Sequence, residues 1–139
     1  MTRPRRAVAD ALADALAEFA PDRAVEVGVG RRPDVAAALV DAGRTVTATD
    51  VVDRSVPDGV RFVRDDVTDP DPALYADADL LYALNCPPEL QRPLVDAATA
   101  AEATWAFTTL GADPAVVDAS PRTLPGGTLF TAPARKGDT

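Results

Sequence analysis

Apolar positions along the chain change their period several times, and each change marks an element. Over residues 5–19, Val8, Leu12, Leu16 and Phe19 recur at helical spacing with alanine between them. That is a helix with one apolar face, and residues 1–20 are assigned to it. Residues 24–29 form a short apolar run, a strand with Glu26 set inside it. Gly28 and Gly30 turn the chain into a second helix. It holds Pro33 in its first turn and Asp34 at its positive end, and it stops at Gly43. Residues 45–49 read as a strand ending at Asp50.

A polar loop leads to a third strand at residues 60–63. Residues 65–79 are acidic and proline-rich, with one helical turn around residues 73–76. Residues 80–84 are a buried strand, and 89–101 a helix that must accommodate Pro93. A strand at 104–110, a short helix at 114–119, a turn at Gly126-Gly127 and a sixth, last strand at 128–132 complete the chain; residues 133–139 read as a disordered tail. Strands alternate with helices, and the strands are apolar throughout rather than alternating. This predicts a single α/β, Rossmann-like domain over residues 1–139, with a mostly parallel sheet covered by helices on both faces.

Composition narrows the function. At 139 residues and 14.5 kDa there is room for one domain and no separate substrate domain. No window approaches the roughly 20 apolar residues of a membrane span. Residues 10–18 carry three acids, which excludes a secretory signal; these features together predict a cytoplasmic protein. The net charge is −8 and Lys136 is the one lysine. Such a chain repels nucleic-acid backbones and anionic lipid, and its acidity reads either as a halophile's or as that of an acidic protein from a high-GC genome. With no histidine and one cysteine, Ser–His and Cys–His pairs, an internal disulfide and a cysteine-based zinc site are all excluded; no metal site is expected.

The strongest local signal is Glu26-Val27-Gly28-Val29-Gly30, followed by a helix and then by Asp50, 20 residues beyond Gly30. The two glycines leave no Cβ between backbone and ligand, and the helix start offers N–H groups. A carboxylate at position 50 can accept both hydroxyls of a ribose and would repel a 2′-phosphate, which favours NAD over NADP. The third glycine of the dinucleotide fingerprint is replaced by Pro33. Glu26 has two readings: an acid inside an apolar strand awaiting a cationic ligand, or a partly exposed acid paired with Arg31 or Arg32. Those two arginines are either anion contacts at the helix start or surface charges. Tyr82 and Trp105 read as core, and Cys86 as a small buried residue.

Glu26-x-Gly28-x-Gly30 resembles the first motif of class I S-adenosylmethionine (SAM) dependent methyltransferases. The resemblance implies that Glu26 lies beside the methionine moiety, that Asp50 holds the ribose, and that Asp66, within Phe62-Val63-Arg64-Asp65-Asp66-Val67, meets the adenine amino group. It makes Asn85-Cys86-Pro87-Pro88 the loop where substrate approaches, with Asn85 and Pro87 as candidate contacts. Residues 25–30, Thr49-Asp50, Asp65-Asp66 and Tyr82 through Leu90 together resemble an archaeal uncharacterised family (UPF0146) grouped with SAM methyltransferases by fold. The chain departs from that family's pattern before the proline pair, with Asn85-Cys86 where the family has an arginine.

The expectation is therefore a small-molecule cofactor held by Glu26, Gly28, Gly30, Asp50 and Asp66: SAM, in a small methyltransferase of unknown substrate. The alternatives are a non-enzymatic module sensing NAD or an adenine nucleotide, or a degenerate Rossmann scaffold that binds nothing. In a chain this short, the rest of a pocket would come from short loops, a protein partner or a second subunit of a homo-oligomer.

Overall fold

In the computed structural model, residues 4–111 and 113–133 are described. The elements run α1 (Pro4–Ala17), β1 (Arg23–Val27), α2 (Asp34–Asp41), β2 (Thr45–Asp50), β3 (Val60–Arg64), α3 (Pro72–Tyr75), β4 (Leu80–Ala83), α4 (Pro88–Ala100), β5 (Thr104–Phe107), β6 (Ser120–Leu124) and β7 (Gly127–Thr131). The seven strands form one sheet in the order β3-β2-β1-β4-β5-β7-β6. All pairings from β3 to β5 are parallel, and β7 is antiparallel to both its neighbours.

Period-2 burial divides the core between the two faces of this sheet. Ala24, Val46, Ala48, Leu80, Tyr82 and Leu129 meet α1 and α2 on one face. Val25, Val27, Leu81, Trp105 and Phe107 meet α3 and α4 on the other. There Phe107 stacks against Trp105 and Phe130, with ring centroids 5.8 and 5.4 Å away. The central strands are buried on both sides, which explains their continuous apolar runs.

Chain order reverses at β1. The chain moves from β1 out to β2 and β3, then returns to β4 and β5 on the other side of β1. The carboxyl ends of β1 and β4 therefore flank a topological switch point, where crevices form in open α/β sheets. Two anchors hold the C-terminal end of α1. Arg44 donates to the carbonyls of Ala17 and Ala20 at 3.1 and 2.9 Å, tying the end of α1 to the start of β2. Glu18 receives both terminal nitrogens of Arg122 on β6, at 3.1 and 2.9 Å.

The structure corrects three expectations in the C-terminal third. Residues 114–119 form no helix. The buried Gln91 side chain of α4 donates to the Pro114 carbonyl at 3.1 Å and accepts the Val116 N–H at 2.6 Å, so this segment meets its backbone bonds across space. The sheet has seven strands, not six. The missed β6 is a polar edge strand carrying Pro121, with residues 120–123 exposed, and so shows none of the apolar signal of its neighbours. The turn before β7 is Pro125-Gly126 rather than Gly126-Gly127, since Leu124 pairs with Gly127. Of the expected tail, residues 134–139 lie outside the described residues.

Candidate functional site

The β1 strand ends at Val27, and the loop beyond it is built from left-handed glycines. Gly28 has φ +71° and Gly30 φ +62°. A Cβ at either position would meet no atom within 4 Å. Backbone conformation thus selects glycine here, and the space beside each is open to a ligand. The Val29 N–H extends the ladder to the Thr49 carbonyl at 2.9 Å, and the Gly30 N–H donates to Asp50 Oδ2 at 2.9 Å. α2 follows with Pro33 at its N-cap and no side-chain cap, so its first N–H groups point toward the loop.

Glu26 projects from β1 on the α1 side. It is 1% exposed, and its Oε1 accepts the Tyr82 hydroxyl at 2.8 Å. The register sets this up, because Glu26 lies directly beside Tyr82 of β4. Burial raises the Glu26 carboxyl to about 8; the Tyr82 bond opposes that rise and the charge of Asp34 adds to it. Tyr82, fully buried beside this acid, is pushed well above the ordinary phenol value. Glu26 is therefore neither partly exposed nor paired with Arg31 or Arg32, both of which are exposed. It is a buried carboxyl that makes no ion pair among the described residues and lines a cavity of about 840 Å³.

That cavity opens at the switch point. Gly28, Gly30, Arg31, Arg32 and Asp34 line one end. Asn85, Thr108 and Thr109 line the middle, at the ends of β4 and β5. Val8 and Leu12 of α1, with the β6–β7 hairpin, line the other end. Asn85 has φ +52°, a left-handed conformation that a non-glycine residue takes only where surrounding bonds fix it. Its N–H donates to Thr108 Oγ1 at 2.8 Å, and the next N–H, of Cys86, donates to the Thr108 carbonyl at 2.7 Å. Cys86 is buried and its thiol is pushed up to about 11 by burial and then by Glu89, which makes it inert.

Not every predicted site residue reaches this cavity. Asp50, Asp66 and Pro87 do not line it. Asp50 sits at the end of β2, 8% exposed, and secures the glycine loop. Its Oδ1 takes the Val52 N–H at 3.3 Å, and Arg54 Nε approaches Oδ2 to 3.3 Å as an ion pair without hydrogen-bond alignment. Burial would raise its carboxyl, but the Gly30 and Val52 N–H groups and Arg54 hold it below the usual range. Asp66 is exposed, and its Oδ1 takes the N–H and hydroxyl of Thr68 at 2.9 and 2.7 Å, closing a turn that lowers its carboxyl. Pro87 is the N-cap residue of α4, and its carbonyl accepts from Leu90 N–H.

Two features of the site had little sequence signal. Val51 and Val52, 56% and 44% exposed, form an apolar step beside Asp50. A pair of valines after a strand was the only hint. The Glu26–Tyr82 bond joins positions 56 apart and depends on β1–β4 register. Among the described residues, no group of three or more metal-ligating side chains converges.

Known proteins resemble this chain in sequence and in fold. A family model described as "Uncharacterised protein family (UPF0146)" matches residues 8–135. A UPF0146 protein from Halobacterium salinarum is 59% identical over 114 residues, covering 81% of this chain and 88% of that protein. One from Archaeoglobus fulgidus is 47% identical over 85 residues, covering 61% of this chain and 65% of that protein. Among solved structures, the glycopeptide N-methyltransferase MtfA complexed with SAM aligns at TM-score 0.57 and 15% identity, over 89% of this chain and 65% of that one. The 1,6-didemethyltoxoflavin-N1-methyltransferase of Burkholderia thailandensis, with S-adenosylhomocysteine bound, gives 0.55 and 18%, over 88% and 76%. The CcbJ methyltransferase of Streptomyces caelestis gives 0.56 and 19% over 74% of this chain, which spans about half (49%) of the length of CcbJ. At these identities the likeness to the methyltransferases is one of fold.

Proposed function

This chain belongs to the uncharacterised protein family UPF0146, and on that premise we propose that it binds SAM or its demethylated product at the glycine loop, as a small methyltransferase. The observation that carries the reading is Glu26. A carboxyl 1% exposed, facing a cavity and lacking a cationic partner among the described residues, has the environment an ammonium group would satisfy. The SAM and S-adenosylhomocysteine complexes of the fold neighbours support the same ligand class.

In this reading Glu26 takes the amino group of the cofactor, and the uncapped start of α2 with Arg31 or Arg32 takes its carboxylate. Gly28 and Gly30 let the ribose approach the backbone. Asp50 has a double role: it holds the glycine loop through Gly30 and receives a ribose hydroxyl on Oδ1, which carries one long bond. Val51 and Val52 offer an apolar rest for the adenine, and Asp66 borders it. The cofactor supplies an activated methyl group, so the chain needs only to orient the partners and exclude water. A site without histidine suffices for that. The nicotinamide alternative has no support from the comparisons, and Pro33 stands where its third glycine would be.

Calorimetric titration with S-adenosylhomocysteine tests the assignment. Wild type binds, and Glu26→Gln, which keeps the shape and cannot ionise to meet the ammonium, binds at least tenfold more weakly. Equal affinity in that variant would remove Glu26 from the site and with it the basis of the reading.

A further inference from the structure

The cavity is larger than the part of an adenosyl cofactor that would enter it. Asp50, Asp66, Val51 and Val52 lie off the cavity, beyond the glycine loop at the ends of β2 and β3. An adenosine held there would leave only its amino-acid end and reactive carbon inside. The roughly 840 Å³ is near the upper end of the roughly 300–1,000 Å³ range for small-molecule sites. Strand order fixes what fills the remainder. From β1 the wall passes through Asn85 after β4 and Thr108 and Thr109 after β5 to the β6–β7 hairpin, under α1.

The two ends differ in chemistry. Every ionisable side chain among the described lining residues lies at β1, on the glycine loop and the start of α2, or, as Asp113, on the loop after β5. The hairpin end has none. Its wall is Val8, Leu12, Leu84, Leu124 and Leu129, all but Leu129 only partly buried. Between the ends, Asn85 is exposed to the cavity, and the bond that fixes its loop uses its backbone N–H rather than its amide. Thr108 and Thr109 add neutral polar atoms beside it.

We propose that the hairpin end seats a second small molecule, uncharged, with an apolar body and a polar edge turned to Asn85 and Thr108. A charged body would meet no counter-charge among the described residues of this wall and would lose its hydration. Resting on the methyltransferase reading above, this molecule is the methyl acceptor. Its lone pair takes the methyl carbon as the carbon–sulfur bond breaks, the bonding electrons stay on sulfur, and the acceptor's proton passes to water. Among the described residues, no titratable side chain lines this end to remove a proton beforehand. The acceptor is therefore nucleophilic as the neutral species, as aromatic amines and ring nitrogens are.

The probe is N-phenyl-1-naphthylamine, an uncharged two-ring amine whose emission rises in apolar sites, compared with its sulfonated analogue 8-anilinonaphthalene-1-sulfonate. The expected result is saturable micromolar binding of the neutral probe, unchanged by saturating S-adenosylhomocysteine. The sulfonate should bind at least tenfold more weakly. Leu124→Glu should weaken the neutral probe at least tenfold, with Leu124→Ala as the milder variant if folding suffers, and Arg61→Ala, exposed on β3 and off the cavity, should leave it unchanged. Competition by S-adenosylhomocysteine, equal binding of the sulfonate, indifference to the Leu124 variants or absence of binding would each overturn the proposal. A separate titration without the probe reads cofactor binding. Should that fail while the neutral probe still depends on Leu124, the cofactor reading falls and the apolar seat stands.

Discussion

At Glu26, burial and the Tyr82 hydroxyl act in opposite directions, and burial wins, leaving the carboxyl neutral at pH 7 with a value of about 8. An unfolded glutamate ionises near its ordinary value of 4.5. Between those two limits the native state holds a proton that the unfolded chain releases. Stability therefore falls as pH rises from about 4.5 to about 8 and is flat on either side, by roughly 3–5 kcal/mol across the window. Glu26→Gln should abolish that slope, and melting curves at pH 5, 6.5 and 8.5 would show it; parallel pH dependence in both proteins would refute the ionisation account. Asp50 works in the opposite sense and in another window. Its lowered carboxyl stabilises the fold above its unfolded pKa, and that contribution is lost as pH falls through the still lower folded value. If an ammonium group docks on Glu26, it must draw off the proton. Binding of S-adenosylhomocysteine at pH 7 should then release close to one proton, measured as a buffer-dependent calorimetric enthalpy. Enthalpies that do not vary with buffer would mean that Glu26 stays neutral in the complex.

At the scale of elements, the hairpin packs closely on Val8 of α1, and the segment after β5 is tied to α4 by the Gln91 side chain. A Cβ on Gly126, which has φ +89°, would lie 2.8 Å from a methyl of Val8 on α1. Gly126→Ala should cost more than about 1 kcal/mol through strain and overpacking, read as a lower denaturant midpoint; an unchanged midpoint would mean that hairpin and α1 are not in tight contact. Gln91→Ala should cost about 1–3 kcal/mol by orphaning the Pro114 carbonyl and Val116 N–H, and should speed amide exchange at Val116. Protection retained at Val116 would contradict the clamp. These same elements were the hardest to read in the sequence. The glycine turn, the switch-point strands and α4 follow from local signals: φ > 0 residues, apolar runs and helical period. The path of residues 114–119 depends on Gln91, more than 20 positions earlier, and β6 is polar because one edge of it faces no neighbour. Local pattern holds no record of either.

Across the whole molecule, order and spacing gave the fold class and brought Glu26, Gly28, Gly30 and Asn85 to one cavity. They did not separate that cavity from Asp50 and Asp66, because distance across the sheet edge is set by strand order rather than by sequence distance. Nor did they reveal that Asp50 spends part of its carboxylate on the Gly30 N–H. The net charge of −8 acts at this scale too. Self-repulsion among the acids is screened by salt, so the melting temperature should rise steadily from 0.1 to 2 M KCl; a flat dependence would detach the acidic composition from a saline setting.

If the switch-point site is built for an adenosyl cofactor, a thermal-shift comparison in molar KCl will register it. SAM and S-adenosylhomocysteine, each at 100 times its dissociation constant, should stabilise the fold by about 2.7 kcal/mol, several degrees for a domain of this size, whereas NAD, NADP and ATP leave it unchanged. A folded protein that shifts with none of these ligands, or with NAD alone, would contradict the account.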